Sequence, residues 1–207
     1  MMIRTKIIKS ERLLKIYARN YLSLAHNRAD LEYFKESKVR IFFRESEEKM
    51  LAGFCINSGP NYRTFLPLNP SQLKKLYHAH RFDRKKPHEI TCLWIEKKSQ
   101  HATWIIFLYF ILFLDVLCLR PGPLIFGTHG KNISTFFSIP FPKTIFNQKL
   151  FVPTKGEECD FWIRKGSKLQ FLKGFMVLAT IRFFGGNKTL ARFRLWLDKK
   201  KQVKQSS

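Results

Sequence analysis

Acidic residues are scarce in this 207-residue chain, where 15 Asp and Glu stand against 38 Lys and Arg for a formal charge of +23. Such an excess attracts anions, whether nucleic acid, anionic lipid or an acidic protein, and a general basic bias of the host's proteins is the plain alternative. It bears on partners and solubility and does not identify a fold. Cysteine is also sparse. Cys55, Cys92, Cys118 and Cys159 lie far apart with no CxxC pair, so the short ligand spacing of a zinc site is missing and no metal is expected. Nothing suggests a disulfide framework, which makes a reducing cytoplasm the default, with a membrane-peripheral location as the alternative. Charges interrupt every apolar run in the first 22 residues. No secretory leader is therefore expected there. No internal repeat is visible.

What is present points to one folded domain. Hydrophobic residues make up 45% of the chain and include 21 Phe, too much apolar surface for a disordered polybasic protein. Each buried aromatic removes a large area from water, and a chain of this length holds one real core but not two large ones.

Periodicity predicts the elements. Residues 10–34 read as one helix, with Ser10 as a candidate cap and Leu13, Leu14, Tyr17, Tyr21 and Leu24 at helical spacing. Residues 39–44 and 50–57 read as two strands joined by the polar turn ESEEK, a hairpin. SGPN at 58–61 breaks the chain. A short strand over 62–68 and a helix over 72–80 follow, then the charged loop RFDRKKPH and a strand over 89–96 rich in β-branched and aromatic residues. After the linker KKSQH, residues 102–119 form a long apolar helix charged only at Asp115 and stopped by RPGP. Further strands are expected over 124–128 and 144–152, with a short helix over 133–138. Residues 161–198 read as two amphipathic helices ahead of a basic tail. Strand–helix–strand order implies parallel neighbours joined by a right-handed crossover, and a helix packed on such a sheet can be apolar nearly all round.

These elements carry a family resemblance. A polar-tipped hairpin ending in LAGF at 51–54, a strand starting at Glu89, a helix and then PLIFGT at 123–128 resemble the GNAT superfamily of N-acyltransferases. Within it, YRTFLPL at 62–68 followed by HEITCLWIEK at 88–97 looks like the acyl-homoserine-lactone (autoinducer) synthase and N-acyl amino acid synthase branch. Arg63, Pro67 and Glu89 match that branch's pattern loosely, while its Ser-Arg pair is replaced by Cys92 and Leu93. The resemblance covers about half the chain. It implies an α/β fold, a GNAT-like mixed central sheet flanked by helices, over residues 1–160, with a basic helical C-terminal extension over 161–207. It also implies transfer of an acyl group from acyl-CoA, or from the phosphopantetheine of acyl carrier protein, to an amine. Acyl carrier protein is acidic, which suits a chain of this charge.

The same resemblance assigns candidate residues. Glu89 would sit at the strand mouth and take a proton from the incoming amine; the plain alternative is a surface glutamate paired with Lys85, Lys86 or Lys97. Asp83 would bind the acceptor's ammonium group, or simply be a solvated loop charge. Arg63 would stabilise the donor or acceptor. Lys97, Lys98, Ser99, Gln100, His101 and Ala102 occupy the pyrophosphate position before the long helix, where free N–H groups and the helix dipole favour an anion. The superfamily's central glycine is missing there and Gln100 stands in its place. His129, after PLIFGT, faces the same mouth as a possible second base. Trp94, Trp104, Phe107 and Phe110 line either an acyl tunnel or ordinary core. His78, His80 and His88 lack metal-like spacing.

Two readings compete. Residues 162–204 hold 12 basic residues and one acid, interleaved with Phe183, Phe184, Phe193 and Trp196. This is a pattern that could bind nucleic acid or an anionic membrane, leaving the fold a catalytically inactive basic module. The apolar run 102–119 just reaches bilayer length, but Asp115 would cost a few kcal/mol there, and flanking strands favour a buried helix.

Overall fold

A computed structural model of the chain describes residues 3–96 and 102–184. The two alternating runs that predicted a hairpin form β2 (Lys38–Phe43) and β3 (Met50–Asn57), paired antiparallel. An edge strand the sequence reading did not assign, β1 (Arg4–Ile8), lies against β2. On the other side β3 pairs antiparallel with β4 (His88–Ile95), and β4 pairs parallel with β5 (Leu124–Thr128). The sheet continues through β7 (Glu157–Gly166) to β6 (Lys143–Val152), giving seven strands in the order β1-β2-β3-β4-β5-β7-β6. β7 is a correction. Residues 161–166, expected as the start of an amphipathic helix, are strand; DFWIRKG carries charges on a strand inserted between two others. The sheet resolves this by burying Arg164, whose Nε donates to Ser134 Oγ at 2.9 Å.

Helices cover both faces. One face carries α1 (Glu11–Ala25) and α2 (Leu31–Glu36). The single helix expected over 10–34 is thus broken. His26 takes the left-handed conformation (φ 49°), and the backbone of the break bonds elsewhere: Arg28 N–H donates to Thr154 O at 3.0 Å. Tyr17 lies over the sheet at Gly53, where any Cβ would come within 2.4 Å of its ring. That is why the LAGF strand needs its glycine.

The opposite face carries α4 (Ala102–Leu117) and α6 (Lys168–Phe184), which pack against each other. Trp104, Leu108, Leu112, Phe113 and Val116 of α4 join Phe42, Phe54 and Phe126 of the sheet in the largest core cluster. Phe113 stacks on Phe175 of α6 at 6.0 Å. No helix among the described residues is long and apolar enough to cross a membrane. Asp115 is buried and receives Lys38 Nζ at 2.8 Å and Arg40 Nη2 at 2.8 Å from β2, so the charge within the apolar run ties helix to sheet. Replacing Asp115 with alanine strands two cations in a part-buried site. It should cost about 3 kcal/mol in a denaturant titration, and a loss under about 1 kcal/mol would mean the pair is solvated.

Short elements complete the chain. The segment 62–68 is a 3₁₀ turn at Arg63–Phe65 rather than the expected strand. α3 (Pro70–His80) begins with a capping box between Asn69 and Gln72, and α5 (Lys131–Phe136) follows β5. The second of the two helices expected over 161–198, and the basic tail, lie outside the described residues.

Candidate active site

Parallel strands β4 and β5 stay paired for only two positions, His88 opposite Leu124 and Glu89 opposite Ile125. Beyond them each strand follows its other neighbour, β4 with β3 and β5 with β7, and the two diverge. His88 pins the closed end. Its Nε2 donates to Arg120 O at 2.9 Å, which leaves Nδ1 to accept from the Ser58 hydroxyl at 2.8 Å.

A bulge adds to the splay. Gly53 faces Trp94 and Cys55 faces Thr91, so three steps on β4 span two on β3. Cys92 sits in the extra position with φ 50°, and its carbonyl accepts from Tyr17 Oη at 2.6 Å. A bulge of this kind frees a strand from its ladder and re-aims its groups.

The divergence opens a cavity of about 640 Å³. Its wall runs along β4 from Thr91 to Ile95, along β5 from Phe126 through His129, and over α4 at Ile105, Ile106 and Tyr109. Ile133, Phe136, Phe137, Phe161 and Phe175 make much of the remainder apolar, while Tyr21, Asn27, Arg63 and Thr64 form a polar end. A largely apolar cleft with a few convergent polar groups is the usual form of a small-molecule site.

The polar end is built from distant segments. Arg63 is 8% exposed. Its Nη1 donates to Tyr21 Oη at 3.0 Å and Cys92 Sγ at 3.2 Å, and its Nη2 donates to Asn27 Oδ1 at 2.7 Å and to Arg28 O. These contacts explain why residues 26–30 leave the helix: their oxygens serve the guanidinium. Glu89 holds the same turn from below. It is fully buried, and its Oε2 accepts from Tyr33 Oη at 2.7 Å and Arg63 N–H at 3.1 Å, while Oε1 accepts from Thr64 N–H. Burial raises the Glu89 carboxyl above the usual range, and hydrogen bonds from Thr64, Tyr33 and Arg63 pull against it.

The candidate residues thus separate. Arg63 lines the cavity. Glu89 was expected at the strand mouth; it lies instead at the closed end where β4 and β5 still pair, with both oxygens engaged, and is not part of the cavity wall. Asp83 is exposed on the turn after α3 and also stands apart from the wall. Lys97, Lys98, Ser99, Gln100 and His101 lie outside the described residues, and Ala102 opens α4. Trp94 lines the cavity, Trp104 is core, Phe107 stacks on Trp104, and Phe110 is exposed.

His129 does reach the cavity, half-buried at the end of β5. Burial lowers its pKa, helped by Lys155 and Arg63 and opposed by Glu157, so the imidazole is neutral and able to accept a proton at neutral pH. Among the described residues, no Asp or Glu belongs to the cavity wall. Cys92 is part of the wall, at the bulge in β4. Among the described residues no cluster of three His, Cys, Asp or Glu is placed to hold a metal.

A mixed sheet that splays at one parallel pair, with a cavity in the opening, defines the GNAT architecture, and solved structures bear this out. The chain is similar to FeeM, an N-acyl amino acid synthase from uncultured soil microbes, with a TM-score of 0.62 and 12% identity over 86% of this chain and 97% of that one. It is similar to NAA60 of Arabidopsis thaliana, solved with a bisubstrate analogue, at a TM-score of 0.55 and 10% identity over 80% and 98%. A third likeness is to yncA from Salmonella typhimurium, solved with its cofactor acetyl-CoA, at a TM-score of 0.50 and 10% identity over 81% and 95%. No family model matches the sequence, and no curated protein matches it significantly. The chain has the GNAT fold.

Proposed function

We propose that this protein is an N-acyltransferase that moves an acyl group from a phosphopantetheine thioester to an amine. The observation that carries the reading is the cavity in the β4–β5 opening, apolar along its length and furnished at its polar end with Arg63, Cys92 and His129. The step from fold to activity rests on analogy with the synthase and the acetyl-CoA-bound structure above.

In this reading the pantetheine arm lies between the diverging strands, and backbone N–H groups of β4 near the bulge polarise the thioester carbonyl. The apolar wall takes the acyl chain. His129, neutral at working pH, removes the proton from the ammonium acceptor so that its nitrogen can attack the carbonyl. The 97–102 segment would meet the donor's phosphates. Glu89 acts as a positioning residue: it fixes the Arg63–Thr64 turn and through it the guanidinium at the cavity's polar end.

The size and lining of the cavity favour an acyl chain over acetyl. Each methylene buried is worth about 0.8 kcal/mol, so two buried methylenes already give about tenfold in kcat/KM. The test is amide formation with acetyl, octanoyl and palmitoyl groups presented on CoA and on acyl carrier protein, beside thermal stability with the same donors. Octanoyl or palmitoyl donors should exceed acetyl by at least about tenfold and raise the melting temperature by mass action. Preference between the two carriers names the donor. No amide from any donor, with stabilisation only by DNA that fades as salt rises, would sink the reading in favour of a basic binding module.

A further inference from the structure

Cys92 holds a place in the cavity that acyl transfer by direct attack leaves unused. Resting on the N-acyltransferase reading, we propose that Cys92 is a nucleophile that accepts the acyl group as a covalent thioester before the amine does.

Charge balance is the first argument. The Arg63 guanidinium is buried, and its side-chain partners are a phenol, an amide oxygen, a backbone carbonyl and the Cys92 sulfur. No carboxylate pairs with it among the described residues; Glu89 takes its backbone N–H instead. A buried cation without an anion costs several kcal/mol, and the Cys92 thiolate is the one group in contact that can supply the charge. The second argument is geometry. Thr91 Oγ1 donates to the same sulfur at 3.7 Å, and φ of 50° inside a strand is a strained arrangement for a residue with a side chain. The Tyr17 hydroxyl holds that backbone by its carbonyl. The third is position: Cys92 lines the cavity together with Arg63 and Thr91, so a thioester lying in the β4–β5 opening presents its carbonyl carbon to the residue that Arg63 holds.

Protonation agrees with the placement. Burial pushes the Cys92 thiol up, but a hydrogen bond from Cys55, the Arg63 charge and Thr91 overcome it and hold the group at about 7. Burial keeps Cys55 well above the usual thiol range, so Cys55 stays protonated, and its Sγ donates to Tyr17 Oη at 3.6 Å.

The chemistry balances without a redox partner. The Cys92 sulfur attacks the donor's carbonyl carbon, a C–S bond forms, and the bond to the pantetheine sulfur breaks. The pantetheine leaves as a thiolate and takes up a proton from solvent. The amine nitrogen then attacks the S-acyl carbonyl, a C–N bond forms, and Cys92 leaves as a thiolate beside Arg63. His129 takes the ammonium proton, and the second proton that the nitrogen sheds as the amide forms passes to solvent, replacing the one the pantetheine took.

The experiment is intact-mass measurement of the wild-type protein mixed with octanoyl-CoA, and separately with octanoyl-acyl carrier protein, without an amine and quenched in acid. The expected result is one octanoyl group per chain, mapped to Cys92, released by neutral hydroxylamine, and passed on as amide when the isolated acyl-protein meets an amine. Cys92→Ala and Cys92→Ser should lose the adduct, and Cys118→Ala, at an exposed thiol away from the cavity wall, should keep it. Amide formation by wild type with no trapped adduct, an adduct on another residue, or a Cys92 adduct that no amine discharges overturns the covalent route while the N-acyltransferase reading stands. Neither adduct nor amide overturns both. The wild-type adduct decides the matter even if the variants fold poorly.

Discussion

Replacing His129 with alanine is expected to lower kcat for amide formation by about 10²–10⁴-fold, with stability changed by no more than about 0.5 kcal/mol. The imidazole lines the cavity just past the end of β5, half-buried, where its loss leaves little behind to collapse. Its pKa is lowered by burial and by Lys155. Only the neutral ring accepts a proton, so kcat at saturating amine should rise with pH through a value below 6.5 and level off before neutrality as far as this group governs it. The alanine variant should lose that acid limb. If Cys92 carries the acyl group, a separate limb near its own value of about 7 should persist. An unchanged rate, or an acid limb that survives the substitution, would remove His129 as the base.

The second large effect concerns Glu89, and its expected form is loss of the fold rather than of a proton acceptor. Glu89→Leu strands the Tyr33 hydroxyl and the backbone N–H groups of Arg63 and Thr64. Each buried donor left without a partner costs about 1–3 kcal/mol, so the total should be about 3 kcal/mol or more in a denaturant titration. Glu89→Gln keeps the shape and adds an amide where only acceptors fit, and should lose less. The pH dependence has a definite sign. Because burial raises the folded carboxyl's pKa above its ordinary 4.5, the group's contribution to stability is complete below that value and is lost as pH rises through the folded one. Wild type should therefore be most favoured over Glu89→Gln in acid, with the gap closing as pH rises. A Gln variant as stable as wild type at every pH, with amide formation abolished, would return Glu89 to the role of base.

Much of the fold was legible because it depends on local pattern. The hairpin over 39–57, the strands at 89–96 and 124–128 and the apolar helix after residue 102 all follow from period and punctuation. Where the reading failed, distant contacts outweighed local preference. The helix over 10–34 has unbroken helical spacing in its sequence, yet it breaks because Asn27 Oδ1 and Arg28 O are bound by Arg63, 36 and 35 residues away. YRTFLPL has strand-like composition, but its N–H groups find a buried carboxylate instead of a ladder. β7 carries Asp160, Arg164 and Lys165 within a strand that has neighbours on both edges, and nothing local marks such a strand as interior.

The candidate site divided in the same way. Residue types near the cavity could be named from the sequence, because strand ends and the resemblance point to the mouth of the sheet. Which of them share the cavity could not. Glu89 and Asp83 carry the charges a sequence reader favours, and the fold turns one inward and the other out to solvent. Cys92 reads as a small core residue until a one-residue bulge brings its sulfur against a guanidinium.

The sequence by itself determined the charge, the hairpin over 39–57, the strands at 89–96 and 124–128 and the apolar helix between them, since these rest on composition and on spacings of a few residues. The tertiary structure alone decided which buried charges are partnered, where β4 leaves β5, and which side chains face the opening. Those outcomes depend on contacts between residues dozens of positions apart, where the cost of an unpaired buried group outweighs any local preference.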